Sequence, residues 1–167
     1  SAATSNFAVT GDTTAPTVSS VSISSASGVQ NSLLNAGDVV SVSATFSENV
    51  TKTGSPQLTL NVGGTNRMAT YGSGSGGTSL VFQYTIQAGE SDADGISIGA
   101  NALALNSGTI RDAAGNNATL THSAVSANTS YKVDTTAPSA VWSAATDDAG
   151  SVMGSLTSGD STDDTAL

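Results

Sequence analysis

The chain has no cysteine, which excludes disulfides, thiolate metal sites and cysteine nucleophiles. Charge is scarce too: 10% of its 167 residues are charged, 13 acidic against 4 basic, for a formal net charge of -9. So few Lys and Arg side chains cannot neutralise phosphates, so nucleic acid is not an expected partner. Aromatic residues make up 4%, too few to line the cleft in which paired carboxylates cleave glycosides, and the chain reads as a non-enzyme. No apolar run approaches membrane length, which argues against membrane insertion. No charged-then-apolar segment opens the chain, so any export signal is expected to lie outside it. The sole histidine, His122, has no cysteine partners for a zinc site and is expected to sit exposed on a strand.

What remains is a Ser-, Thr-, Asn- and Gly-rich polar surface over 37% hydrophobic residues, enough for one core. The hydrophobic period is two. Val40, Val42, Ala44 and Phe46 alternate with Ser41, Ser43 and Thr45, and the same alternation runs through Leu58, Leu60 and Val62 and through Leu80, Phe82, Tyr84 and Ile86. Weaker strands are expected at Val21 with Ile23, from Met68 to Tyr71, at Ile96 with Ile98, and from Leu103 to Ile110. No segment carries a helical period. Short strands punctuated by Gly and Asn predict an all-β chain, an immunoglobulin-like antiparallel β-sandwich, with a barrel as the alternative. The stretch from Gly72 to Gly77 lacks the Lys and the following helix of a phosphate loop and reads as a hairpin loop.

One phrase occurs twice, as Asp12-Thr13-Thr14-Ala15-Pro16 and as Asp134-Thr135-Thr136-Ala137-Pro138. Each copy follows a short alternating segment, Phe7 and Val9 before the first, Tyr131 and Val133 before the second, which reads as a closing strand. Proline fixes φ and pushes the preceding Ala towards extended geometry, so the phrase suits a stiff connector. These marks divide the chain into residues 1–11, a closing strand or linker; residues 12–134, one β-sandwich unit; and residues 135–167, a linker and the start of a following unit.

Several stretches carry a likeness. The doubled phrase, Thr45-Phe46-Ser47-Glu48-Asn49-Val50, Pro56-Gln57-Leu58-Thr59-Leu60, the run from Phe82 to Gly89, Asp92-Ala93-Asp94-Gly95 and Asp112-Ala113-Ala114-Gly115-Asn116 together resemble bacterial immunoglobulin-like repeats of giant repetitive surface adhesins of the RTX and biofilm type. Residues 146–165, with Thr146-Asp147-Asp148-Ala149-Gly150 and Thr162-Asp163-Asp164-Thr165, resemble the opening of another repeat class of biofilm adhesins. The resemblance implies type I secretion, an extracellular place on the bacterial cell surface and a role in cell adhesion.

The acids sit in loops. Glu90, Asp92 and Asp94 alternate and are followed by Gly95, matching the first half of a calcium loop, whose Gly permits a sharp turn. A solvated acidic turn is the alternative, since the first acid is Glu, position twelve is Asn101 and strands flank the segment. A second group, Asp12, Glu48 and Asp112, is far apart in sequence but meets at one end of an immunoglobulin sandwich, where the chain enters and the second and sixth strands finish. The Glu90–Asp94 loop is expected at the other end, beside the exiting Asp134. For the segment from Asp112 to Asn116 a hairpin turn held by its own side chains is the competing reading. Calcium is the expected cofactor, at the loops and between units, and neighbouring repeats of the same polypeptide are the expected partners of a monomer. The expected function is a structural extender; a module that itself binds carbohydrate or a surface is the alternative, and an accessory domain of a secreted hydrolase a third.

Overall fold

The computed structural model describes residues 11–140 throughout, together with two short strands at 145–147 and 154–156. The expected strand at Phe7 and Val9 lies outside the described residues, as do Val141 and Trp142. Twelve strands are described: β1 (Val18–Ser27), β2 (Leu33–Leu34), β3 (Val39–Thr53), β4 (Gln57–Val62), β5 (Thr65–Ser73), β6 (Gly77–Thr85), β7 (Ser91–Asp92), β8 (Leu103–Ala104), β9 (Thr109–Arg111), β10 (Lys132–Asp134), β11 (Ala145–Asp147) and β12 (Gly154–Leu156). No helix occurs among the described residues, and the fold is an antiparallel β-sandwich. The chain divides after Thr136 into two compact units.

In the first unit a large sheet runs β1-β3-β6-β5-β4-β8, with β9 added to β3, and a smaller sheet runs β2-β10-β7. All ladders of the large sheet are antiparallel, and β2 with β10 is a parallel pair. Its long strand, β3, carries the plan. The first half pairs with β1 and β6, the register slips between Thr45 and Val50, and the last three residues pair with β9. Val40, Val42, Ala44, Phe46 and Val50 are all buried, as the alternation requires. Each large side chain removed from water there stabilises the fold by roughly 1.5–3 kcal/mol. They pack in one core with Leu58, Leu60, Phe82 and Ile96, and with Leu34 and Val133 from the small sheet.

Turn chemistry fixes the registers. Gly63 and Gly64 (φ 54° and 82°) form the two-residue hairpin between β4 and β5, in the left-handed conformations that such a turn demands. The loop after Ser73 is a tied hairpin: Gly76 N donates to the Val50 carbonyl (2.8 Å) and Ser75 N to the Tyr71 hydroxyl (3.0 Å). The expected run from Leu103 to Ile110 is instead two strands, β8 and β9. Between them Asn106 and Ser107 take positive φ (47° and 65°), and Gly108 N closes a turn onto the Leu105 carbonyl at 2.9 Å. Ile96 and Ile98 are buried as expected, but they join the sheet only through single bridges of Ser97 to Asn61 and Ile98 to Val125.

In the second unit β11 and β12 pair antiparallel, Ala145 opposite Leu156.

Candidate metal centre

At the end where the chain enters, three acids converge. Asp12, Glu48 and Asp112 each place a carboxylate oxygen within 4.8 Å of the other two, as the topology predicts. Three unrelated parts of the chain supply them. Asp12 opens the linker phrase and folds into a tight turn, its Oδ1 accepting from Thr14 N at 2.9 Å. Glu48 lies on β3, half-buried between the buried Phe46 and Val50 and on their parity, within the strand rather than in a loop after it. Asp112 follows β9 and is 5% exposed.

The turn reading of the Asp112 segment holds. Its Oδ1 accepts Gly115 N (2.6 Å) and Asn116 N (2.8 Å), so the turn is held by the carboxylate. Asn116 then does more than the sequence suggests: its Nδ2 donates to Asp112 Oδ2 (2.7 Å), to the Asp12 carbonyl (3.1 Å) and to the Thr14 carbonyl (3.2 Å). The entering phrase is therefore clamped to the turn. Further along, Pro16 is buried and its carbonyl accepts Thr119 N at 2.7 Å, while Thr17 N donates to Ser47 Oγ at 3.0 Å.

Electrostatically the site lacks a counter-charge. Among the described residues no Lys or Arg pairs with any of the three acids, and Arg111, the neighbour of Asp112, turns its Nε to Asn117 Oδ1 at 2.7 Å. Loss of solvent, and then the charges of Asp12 and Asp112, push the Glu48 carboxyl above its ordinary value. For Asp112 the loss of solvent works the same way, but hydrogen bonds from the Asn116 side chain and from the amides of Asn116, Gly115 and Ala114 outweigh it and hold its pKa low. Three clustered carboxylates with no internal cation form an oxygen donor set that could hold a metal ion, of the hard type.

A pH response follows from these two shifts. Without metal, lowering the pH towards the ordinary Glu48 value of 4.5 lets the folded state take up a proton before the unfolded one, so this group makes the fold more stable as pH falls. Asp112 opposes that only below its ordinary 3.8, where stability is lost as its carboxylate protonates. With a bound cation the sign reverses, because Glu48 must lose the metal to take the proton. Denaturant titrations at pH 7 and pH 5, with and without calcium, are expected to show opposite slopes; parallel slopes would contradict the site.

At the exit the acids behave differently. The Glu90–Asp92 segment does lie beside Asp134, with Ser91 opposite Asp134 and Asp92 opposite Val133, but its carboxylates do not converge. Buried Glu90 forms an ion pair with Arg67, accepts the Tyr84 hydroxyl at 2.5 Å and accepts Gln87 N at 2.9 Å. Burial, the hydrogen bond to Glu90 and its charge push the Tyr84 phenol up to about 12, against the pull of Arg67. Asp92, 3% exposed, accepts Gly63 N (2.7 Å) and Gly95 N (2.8 Å). Asp94 and Asp134 are exposed, and Asp134 repeats the turn of Asp12, with Thr136 N on its Oδ1 at 2.9 Å. Gly95 (φ 101°) answers to packing, since a Cβ there would overlap the Asn128 carbonyl. From Val39, opposite Thr85 at the end of β6, to Glu48 the chain advances nine residues along β3, on the order of 30 Å at ~3.3 Å each, so the two acidic groups occupy opposite ends.

His122 departs from expectation. It is half-buried outside any strand, with Nε2 accepting Ala102 N and Nδ1 facing the Ser123 carbonyl, both at 2.8 Å, which makes it a structural tie. A groove of about 680 Å³ runs past Thr59, Asn61, Asn66, Ser97 and Ser126, and no aromatic side chain lines it.

Comparison with known proteins gives no match: no family model fits the chain, and no curated protein and no solved structure is similar to it.

Proposed function

We propose that this chain is a spacer module of a bacterial immunoglobulin-like surface adhesin, exported by type I secretion, in which calcium joins the linker to the body of the unit. One observation carries the reading. Asp12 belongs to the linker phrase, Glu48 and Asp112 belong to the body, and all three bring carboxylates to one point without a counter-charge. A divalent ion there cross-links linker to body, and its loss releases three repelling charges. The same phrase returns at Asp134 with the same turn, so its carboxylate stands ready for the corresponding site of a following unit. Calcium suits the site better than magnesium because loop carboxylates and carbonyls tolerate irregular coordination. The partner is the neighbouring repeat of the same polypeptide, and the unit acts through rigidity as a monomer, with no catalysis. A carbohydrate-binding role has less behind it, since the groove past Asn61 offers no aromatic face.

Thermal melting in calcium and in chelator tests the reading. The chain is expected to melt several degrees higher in calcium, because an ion that binds only the folded state must stabilise it. Glu48→Gln is expected to remove most of that difference. Coincident melts of the unaltered chain in the two conditions would refute the metal site.

A further inference from the structure

The doubled phrase is held in a different way at each of its two copies. At the first copy the grip comes from the unit that follows: Asn116 Nδ2 holds the carbonyls of Asp12 and Thr14, and Pro16 is buried. At the second copy the grip comes from the unit that precedes. The Thr135 hydroxyl accepts Gly89 N and donates to the Glu90 carbonyl, both at 2.9 Å. That uses both of its hydrogen-bonding capacities. The loop it grips is itself fixed, because the Glu90 side chain is anchored on Arg67, Tyr84 and Gln87.

The two copies fold alike, each closing the same Asp-to-Thr turn at 2.9 Å, so both grips can act on one phrase. The positions do not compete: the following unit takes the backbone of the first and third residues, and the preceding unit takes the side chain of the second. We infer that the phrase is a two-sided clasp between this unit and a second copy joined to it head to tail, closed by Thr135 on one side and Asn116 on the other, with no free hinge residue among its first three positions. The clasp rests on the spacer reading, and its Thr135 side is independent of the metal, since neither Thr135 nor its partners Gly89 and Glu90 belong to the acidic site, whereas Asn116 also bonds Asp112.

The test uses the full chain with residues 17–138 duplicated in line, so that one phrase joins two copies. Because the chain has no cysteine, Ser20→Cys in each copy gives two spin labels, and pulsed electron resonance reads the distribution of distances between them. A narrow distribution is expected for the duplicated chain. Thr135→Val at the junction is expected to broaden it in calcium and in chelator, Thr135→Ser to keep it narrow, and Asn116→Ala in the second copy to broaden it from the other side. Far-ultraviolet dichroism of each variant checks that the units stay folded. Equal widths for Thr135→Val and the unaltered junction in both conditions would overturn the clasp, whatever calcium does. Broadening by Thr135→Val with no effect of calcium would leave the clasp standing and remove the metal from the junction.

Discussion

Replacing Glu90 by alanine is expected to destabilise the chain by about 3 kcal/mol, equally in calcium and in chelator. The carboxylate is buried, accepts hydrogen bonds from the Tyr84 hydroxyl and the Gln87 amide, and is ion-paired with the Arg67 guanidinium. Removing one member of a buried ion pair leaves the other uncompensated, an effect of roughly 3–5 kcal/mol. The low end applies because the Arg67 side chain is 37% exposed and can turn to water. Gln87 N and the Tyr84 hydroxyl, both part-buried, lose their acceptor as well, at about 1–3 kcal/mol each before relaxation. Urea unfolding of Glu90→Ala in both conditions measures this. A loss that appears only in calcium would make Glu90 a metal ligand and contradict the ion-pair account.

The second large effect is at Asp92. Asp92→Ala removes the acceptor of two backbone amides, Gly63 N at the β4–β5 hairpin and Gly95 N in the loop after β7. Hydrogen bonds to an ionised group contribute about 1.5–3 kcal/mol each, so a combined loss of about 3 kcal/mol is expected after partial relaxation. Asp94→Ala, two residues away and exposed, is expected to change stability by no more than about 0.5 kcal/mol. The contrast separates two readings of one acidic run. A calcium loop requires both carboxylates and gives both variants a chelator-sensitive loss; a turn held by Asp92 alone gives one large metal-independent loss and one negligible change.

The alternation of acids from Glu90 to Asp94 was therefore a poor guide to chemistry. Spacing in sequence shows which carboxylates can approach one another, but not which donors will claim them first. Here two of the claimants are distant in sequence: Gly63 lies 29 residues before Asp92, and Arg67 comes from the strand β5. Gly95 misleads in the same way: besides its left-handed φ, a glycine is required there because a Cβ would overlap the Asn128 carbonyl.

The group at Asp12, Glu48 and Asp112 was legible because it depends on topology rather than on local spacing. The alternating run from Val40 to Phe46 marks the core-facing parity of β3, which Glu48 continues two residues beyond Phe46; β3 itself runs on to Thr53, so Glu48 lies within the strand and not in a loop after it. What sequence did not reveal was the reach of Asn116 beyond its own turn. The signal of the turn is present, as Asn four residues after Asp in Asp-Ala-Ala-Gly-Asn, the spacing of a side chain that closes its own turn. That it also reaches back to Asp12 and Thr14 requires the fold. The parallel pairing of Leu33–Leu34 with Lys132–Val133 was equally hidden, since two-residue strands carry no period.

The entering site answers to one measurement above others: amide chemical shifts followed while calcium is titrated into the metal-free chain. A linker bound to its body through an ion predicts saturable shifts at Thr14, Glu48 and the Gly115–Asn116 turn, with Asp92, Asp94 and Gly95 unmoved. Shifts confined to residues 90–95, or no saturable shift at any of these positions, would contradict it.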